Sequence, residues 1–367
     1  LWMNVVLTGA LVLLGYLFSR TLMGFFITDP AVIDAAQELL PIMLLDTASL
    51  SESEAERANR YRRRGEPKAQ PLFSAEDVHA TLRQVQPLAY DQRTTILPGV
   101  DIALRDAGHI LGSAIVELWA DGRKLVFSGD LGPKGTPILR DPAVVKQADL
   151  LLMESTYGDR NHRDRPDTIR ELGEIFEHAW RDRGNVLIPA FAVGRTQELL
   201  YWFARHWETW KLARWRVFLD SPMAAKVVAV YGRHHGLFDE DARRVWAQSP
   251  NPFRLPNLHV AETTQQSMAI NQIENGAIII AGSGMANGGR IQHHLRYNLG
   301  RRNAHIVFVG YQAEGTLGRR LVDGAQWVRI HGRDYRVNAQ RHTAGGLSAH
   351  TDQQGLMEWY GHFRDTP

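Results

Sequence analysis

Between Asp106 and Gly158 the chain reads D-A-G-H-I-L-G-S-A (106–114), K-L-V-F-S-G-D-L-G (124–132) and L-L-L-M-E-S-T-Y-G (150–158). Short apolar runs in this stretch each lead to a polar residue that can take part in chemistry: His109, Asp130 and Glu154. In open α/β sheets, ligands bind at the carboxyl ends of the strands. An imidazole and a carboxylate on neighbouring strand ends suit zinc, so the pattern predicts a metal site here.

The residues around this stretch predict an α/β fold. Short alternating segments from residue 93 to 128 predict antiparallel strands, with Asp121 and Gly122 as a hairpin turn. Further along, apolar runs alternate with amphipathic helical segments, which is typical of βαβ units and a parallel sheet. These runs are N-V-L-I-P-A (185–190), W-R-V-F-L-D-S-P (215–222), A-I-I-I-A-G-S-G (277–284) and H-I-V-F-V-G-Y (305–311).

Composition limits the class of protein. The chain has 367 residues, of which 44% are apolar and 22% charged, and this fits two globular domains better than a disordered chain. Lys and Arg number 42 against 40 Asp and Glu, so a surface for nucleic acid must be a local patch. The sequence has no cysteine, which excludes disulfides and thiolate metal sites and fits a cytoplasmic location.

A fourth motif, G-G-L-S-A-H-T-D (345–352), completes a resemblance to a known family. In this order the motifs resemble the metallo-β-lactamase-fold nucleases with a β-CASP insertion, which include bacterial RNA-processing nucleases and the cleavage subunit of the mRNA 3′-end machinery. The resemblance covers roughly residues 39–367. It implies an incomplete αββα metallo-β-lactamase sandwich (39–164 and 311–367) with an inserted β-CASP α/β domain (165–310).

The resemblance also implies roles for individual residues. His109 would bind one of two zinc ions, and Asp130 would bridge both. Glu154 would hydrogen-bond His350 and keep it protonated, so that His350 could donate to the leaving oxygen of a phosphodiester. Ser348 would contact a phosphate of single-stranded RNA. The order of the motifs further predicts that Glu154 and His350 lie ~2.6–3.2 Å apart or are joined through one water.

The chain path follows from the same resemblance. It would leave the first domain near Arg165 and return near Gly310, and residues 310–321 would dock against the first domain and deliver S-A-H. Asp352, just after S-A-H, is predicted to cap a helix. The oligomeric state is left open by the sequence.

Two features of the family pattern are absent from the sequence. An H-x-H-x-D-H cluster would lie upstream of Asp106, but no H-x-H occurs, and a final histidine would follow S-A-H beyond Pro367. His109 and Asp130 are then the direct metal ligands that remain, whereas a catalytic zinc normally has three protein ligands. We therefore expect the chain as given to bind zinc poorly and to cleave RNA slowly or not at all.

Two arginines that open helical segments are candidate phosphate contacts. Arg195 follows A-F-A-V-G, and Arg290 closes the glycine-rich run G-S-G-M-A-N-G-G-R (282–290). The glycine spacing does not match a dinucleotide fingerprint, and the absence of G-K-S/T excludes a Walker loop. An RNA-contacting loop and a plain strand-to-helix turn both remain open. Packing rather than base stacking is expected of Trp202, Trp207, Trp210 and Trp215.

The first 38 residues differ from the rest. Residues 1–19 carry no charge, and ~20 apolar residues can cross a bilayer, so this segment could act as a membrane tether. It lacks the basic region and cleavage site of a signal peptide. The run L-F-S-R-T-L-M-G-F-F-I-T-D-P-A-V-I (17–33) resembles part of a multidrug and toxin extrusion transporter, and we favour a fusion or assembly scar over an anchor. Pro30 is predicted to stand at the first position of a helix.

Three hypotheses follow for function. The first is a metal-dependent RNA hydrolase by descent, exonuclease or endonuclease. The second is a non-catalytic RNA-binding remnant or gene fragment. The third is a membrane-tethered protein, and it depends wholly on residues 1–19.

Overall fold

The computed structural model describes residues 30–63, 66–248 and 251–364. The chain divides into two compact units, residues 1–104 and 105–367. The membrane tether and most of the transporter-like run fall outside the described residues, so both stay predictions. Among the helices that the structure describes, none is long and apolar enough to cross a membrane.

The first unit contains a long helix, α1 (Pro30–Arg60), and Pro30, which the sequence predicts at a helix start, is its first described residue. The boundary predicted at residue 39 falls inside α1, which continues through it without a break. A second helix, α2 (Ala75–Leu82), opens with a capping box between Ser74 and Asp77. The unit ends in an antiparallel pair of strands.

The antiparallel strands predicted before residue 128 are present. In chain order these strands, and the one that follows them, are β1 (Thr94–Leu97), β2 (Val100–Asp106), β3 (Ala114–Ala120), β4 (Arg123–Phe127) and β5 (Leu150–Leu152). Strand β1 pairs with β2, β3 pairs with β4, and β5 joins β4 in parallel. Asp121 and Gly122 both have positive φ, 49° and 72°, as a two-residue hairpin turn requires.

A second sheet in unit 105–367 consists of parallel strands, as the βαβ pattern predicts. Its strands are β6 (Val186–Pro189), β7 (Arg216–Asp220), β8 (Leu258–Val260), β9 (Ala277–Ala281), β10 (His305–Phe308) and β13 (Gln340–Thr343). Between β10 and β13 the chain forms a separate hairpin of β11 (Trp327–Ile330) and β12 (Arg333–Arg336). Their order across the sheet is β13-β10-β6-β9-β7-β8. Every residue of β6, β9 and β10 is buried, which explains their continuous apolar sequences.

Helices connect these strands. They are α3 (Arg165–Arg181), α4 (Arg195–Arg205), α5 (Pro222–Arg233), α6 (Glu240–Gln248), α7 (Thr264–Ile270), α8 (Ile291–Asn298), α9 (Leu317–Val322) and α10 (Gln353–Tyr360). The chain enters this region at α3, close to the predicted exit at Arg165.

The return of the chain differs from the prediction. Leu317 and Leu321 of α9 lie in the hydrophobic core of the parallel sheet, together with Leu295 and Phe308. Leu317 and Leu321 therefore pack against that sheet, whereas Tyr311 at the start of the segment contacts Tyr157 of E-S-T-Y-G, with ring centroids 5.3 Å apart. The sheet also continues past residue 310, because β13 pairs with β10 along four residues. The apolar face of α9 and the additional strand β13 keep the chain at the parallel sheet beyond residue 310. The chain therefore returns to the first domain later than predicted.

The S-A-H motif is held between β13 and α10. A short 3₁₀ turn, Gly345–Leu347, follows β13 and leads directly into Ser348. Beyond the motif, Leu356 and Trp359 of α10 join the core formed with Ile115 and Val126 of β3 and β4. The parallel sheet fixes one end of this segment, and the core beneath β3 and β4 fixes the other. His350 is thereby placed near the ends of β4 and β5.

Candidate active site

The predicted contact between Glu154 and His350 is present. Nδ1 of His350 lies 2.9 Å from Oε2 of Glu154. The Glu154 side chain is only 6% exposed, and its second oxygen accepts a hydrogen bond from the backbone N–H of Leu131. With both oxygens engaged, the carboxylate fixes the direction of the imidazole.

Electrostatics favour the charged form of this pair. Burial is the largest influence on His350 and opposes its charge, but the hydrogen bond and the charge of Glu154 outweigh it and raise the pKa of His350. Burial likewise works against ionisation of Glu154, yet its hydrogen bonds to His350 and Leu131 lower its pKa overall. An imidazolium beside a carboxylate is the arrangement of a histidine that can donate a proton.

His109 and Asp130 lie next to this pair. Nδ1 of His109 is 2.9 Å from the carbonyl oxygen of Ala349, and because a carbonyl can only accept, this nitrogen carries the proton. The free Nε2 lies 3.8 Å from Oδ2 of Asp130, and the rings of His109 and His350 are 4.4 Å apart. Burial and then the charge of His350 lower the pKa of His109, which favours the neutral form that binds metals.

Glycines let the backbone segments of the site approach each other. A Cβ on Gly132 would lie 1.9 Å from the carbonyl oxygen of Gly108, which is the residue directly before His109 in the sequence. Gly129, before Asp130, has a φ of +55°, and a Cβ there would lie 2.7 Å from the carbonyl oxygen of Ala114. The S-G-D-L-G sequence is therefore needed for Asp130 to lie beside the His109 loop.

The donor set fits zinc. One ligand atom each from His109, Asp130 and His350 lies within 4.8 Å of the others, and no other such group occurs in the described ranges. Imidazole nitrogen and carboxylate oxygen are zinc ligands. The hydrogen bond from Nδ1 of His109 to a carbonyl is the second contact that zinc-binding histidines usually make, because it fixes the tautomer.

Ser348 is buried at the base of the site. Its Oγ accepts a hydrogen bond of 3.2 Å from the backbone N–H of His350, and its hydroxyl also bonds to Tyr157. Ser348 thus shapes the turn that presents His350. Its contact with a phosphate stays a prediction.

Two residues that the sequence did not single out complete the surroundings. Tyr157 packs edge-on against His162, with ring centroids 4.3 Å apart. Nε2 of His162 lies 2.8 Å from the carbonyl oxygen of His350 and so holds the backbone of the motif. Tyr157 lies within E-S-T-Y-G and could have been found there, whereas no local pattern marks His162. Asp352 caps α10 through the N–H of Gly355, as predicted.

Arg195 lies close to the site. Its side chain is 5% exposed and forms an ion pair with Glu198, one turn further along α4. The positive charge of Arg195 opposes protonation of His350 and stabilises the phenolate of Tyr157, so it acts on both side chains. A cation at the start of a helix and beside the candidate proton donor remains a candidate phosphate contact.

Arg290 has a different environment. Its guanidinium bonds to Oδ1 of Asp220 at 2.7 Å and to the carbonyl oxygen of Ala261 at 2.8 Å. The side chain of Asp220 is completely buried and also binds His294 at 2.6 Å. Arg290 therefore neutralises a buried carboxylate, and its contact with RNA stays a prediction.

Comparisons with known proteins agree with this geometry. A Beta-Casp domain model matches residues 196–321, and a Zn-dependent metallo-hydrolase RNA specificity domain model matches residues 334–367. Ribonuclease TTHA0252 of Thermus thermophilus is 42% identical over 290 residues, which cover 79% of this chain and 67% of that protein. The transcription termination factors FttA of Methanosarcina mazei and Thermococcus kodakarensis are 30% and 32% identical. The matches cover 79% and 81% of this chain but only 47% of each FttA protein, about half its length.

The chain belongs to the β-CASP family of metallo-β-lactamase-fold RNA nucleases. Its α/β fold with parallel and antiparallel sheets is of this type, and the predicted resemblance is confirmed. The description of the matched C-terminal domain names zinc and RNA specificity, and the Thermus relative is named a ribonuclease.

Proposed function

We propose that this chain carries the proton-donating side, and part of the metal-binding side, of a site that hydrolyses phosphodiester bonds in single-stranded RNA. The observation that carries the proposal is the Glu154–His350 pair beside His109 and Asp130. A hydrolytic site for RNA needs a proton donor for the leaving oxygen. An imidazole hydrogen-bonded to a carboxylate, as in this pair, can act as such a donor.

Each residue then has a defined task. Glu154 binds Nδ1 of His350 and keeps the ring charged, so Nε2 is the atom that donates to the leaving oxygen. Nε2 of His109 and the carboxylate of Asp130 would hold zinc, and the family resemblance implies two ions for the full site. When bound, zinc supplies Lewis-acid chemistry and lowers the pKa of water. Arg195 attracts the phosphate, and Ser348 fixes the turn that carries His350.

The domain arrangement that we propose is close to the one that the family resemblance implies. Residues 39–164 and the end of the segment 311–367 form an incomplete metallo-β-lactamase domain, and residues 165–310 with the start of that segment form the inserted β-CASP domain. Strand β13 supports an extension of the inserted sheet to Thr343. The inserted domain closes over the cleft and guides RNA toward His350. Cytoplasmic location accords with such a substrate and stays a prediction.

A second function, RNA binding without cleavage, is favoured by the ligand count. The described residues contain one metal-binding group of three side chains, and one of these, His350, is also the proposed proton donor. If His350 keeps its proton, two ligands remain, fewer than a catalytic zinc normally has. This count motivates the expectation of weak zinc binding and slow turnover.

Single-turnover cleavage of a labelled single-stranded RNA, with enzyme and zinc in excess, decides between the two functions. We expect slow, zinc-dependent cleavage that falls on the order of 100-fold in H350A, because general acid catalysis contributes about that much. H79A, which changes an exposed histidine of α2, is the matched control. RNA that is bound but uncleaved at every zinc concentration would establish the non-catalytic function instead.

A further inference from the structure

A large cavity adjoins the candidate active site but contains none of its reactive side chains. It measures about 1270 Å³ and lies among α3, the end of α4 with residues 206–211, and the segment 346–359. Leu131 and Thr351 line it, and each directly follows a site residue in sequence. The N–H of Thr351 donates to the carbonyl oxygen of Leu131 at 2.7 Å, so this backbone pair separates the cavity from the site.

One wall of the cavity is a column of stacked rings. Trp202, His206 and Trp210 follow each other at intervals of four residues along α4 and its continuation, and all three line the cavity. The first two rings stack with centroids 5.7 Å apart, and the last two with centroids 4.8 Å apart and planes within 15°. Trp210 is buried against Phe176, which anchors the column, whereas Trp202 and His206 are only partly buried. Partly exposed, rigidly held rings are suited to stacking with a planar ligand.

The same cavity is lined by two arginines, Arg165 and Arg205, that form no direct ion pair among the described residues, although the charge of Glu198 acts on Arg165. The guanidinium of Arg165 donates to the carbonyl oxygen of Gly135 at 2.6 Å, and its buried Nε has no hydrogen-bond partner within the described part of the chain. Arg205 donates to the hydroxyl of Tyr201 at 3.2 Å and is otherwise exposed. Guanidinium groups without a direct ion pair, beside a ring stack, provide the two contacts that single-stranded nucleic acid makes, phosphate and base.

The column is connected to the site through one face of α4. Arg195 forms an ion pair with Glu198, and Oε1 of Glu198 accepts a hydrogen bond of 3.3 Å from Nε1 of Trp202. At 1.5 Å of rise per residue, His206 lies roughly 16 Å along the helix from Arg195. A strand that reaches Arg195 is therefore only a few nucleotides from the stacked rings.

We propose that this cavity is a second binding subsite for single-stranded RNA, in which a base stacks on Trp202, the outer ring of the column, and a phosphate contacts Arg205 and Arg165. The proposal rests on the proposed function, since it gives the same substrate a second point of attachment. It also changes the role expected of Trp202, from packing alone to packing and base stacking.

The test is binding of a fluorescein-labelled oligouridylate to the full chain, followed by fluorescence anisotropy without added metal. W202A and R205Q should each raise the Kd about tenfold, the size expected for one stacked base or one lost phosphate contact. W202F should bind like the original chain because phenylalanine still stacks. W327A, which removes a 58% exposed tryptophan outside the cavity, is the matched control.

Tryptophan fluorescence gives an independent readout that does not depend on loss of affinity. Bound RNA should quench part of the emission in the original chain, and this part should be missing in W202F. Affinities of W202A and R205Q equal to that of the original chain would overturn the subsite while leaving the proposed function intact. A chain that binds no single-stranded RNA at all would overturn the proposed function first. A changed sedimentation coefficient of W202A with unchanged RNA affinity would assign the cavity to a protein contact and overturn the subsite.

Discussion

Nδ1 of His350 lies 2.9 Å from Oε2 of Glu154, although 196 residues separate them in the sequence. Glu154 follows β5, and His350 follows β13, the edge strand of the parallel sheet. The pair therefore joins a segment that precedes the parallel-sheet region to one that follows it. The pair is a sensitive reporter of both the fold and the chemistry of this unit.

Removing the charge of Glu154 should lower the pKa of His350. The substitution Glu154→Gln keeps the shape of the side chain but removes the negative charge that holds the proton on the imidazole. NMR titration of the His350 ring measures the change directly. Asp159→Asn, at an exposed carboxylate paired with Arg160, is the control and should leave that titration unchanged. An unaltered His350 pKa in E154Q would contradict the assigned role of Glu154.

A methyl group at residue 132 should disturb the site through the backbone. The Cβ of Gly132→Ala would lie 1.9 Å from the carbonyl oxygen of Gly108, so one of the two segments must move. We expect a loss of stability of about 1–3 kcal/mol, typical of overpacking, together with shifted NMR signals of His109. Gly300→Ala, where a Cβ meets nothing within 4 Å, is the control for chemical denaturation. Equal stability of the two variants would show that the loops are not closely fitted.

Arg290 should matter for stability rather than for RNA. Arg290→Met leaves the buried Asp220 with His294 but without its guanidinium partner, and breaking a buried ion pair costs about 3–5 kcal/mol. Urea denaturation should show this loss, while RNA affinity of the folded fraction stays unchanged. Weaker RNA binding by a fully folded R290M variant would restore Arg290 as an RNA contact.

Acid should destabilise the parallel sheet through His342. Burial, and then the charges of His305 and His178, lower its pKa from 6.5 to about 4 in the folded chain. A lowered folded pKa means that the stability is fully present above pH 6.5 and is lost as the pH falls toward about 4. Urea midpoints at the two ends of this range should therefore differ less in H342Q than in the original chain. The control H79Q should show the original difference, and an equal difference in H342Q would contradict this assignment.

The local sequence pattern was sufficient to predict most of the secondary-structure elements. Alternation and the Asp121-Gly122 turn predicted β3 and β4, and the continuous apolar run 277–281 predicted a central parallel strand. These features depend on neighbours in sequence, so the sequence shows them directly. The Glu154–His350 contact was predicted in another way, from the order of four motifs, because nothing local connects residues 196 positions apart.

Other features depend on tertiary contacts that no local pattern records. Leu317 and Leu321 pack into the core of the parallel sheet, and the sequence alone does not say which core accepts them. The role of Arg290 depends on Asp220, 70 residues earlier, and that of His162 on the carbonyl of His350. Both residues could be assigned only once the folded chain brought their partners into contact.

The assignment of His109, Asp130 and His350 to one hydrolytic site can be tested by anomalous diffraction at the zinc edge. The crystals of this chain would be soaked with zinc and a short single-stranded RNA. We expect a zinc peak ~2.0–2.2 Å from Nε2 of His109 and a carboxylate oxygen of Asp130, with an RNA phosphate facing Nε2 of His350. Partial occupancy at this position agrees with weak binding. Zinc bound elsewhere, with His109 and Asp130 unoccupied and RNA away from His350, would contradict the assignment of these residues to one hydrolytic site.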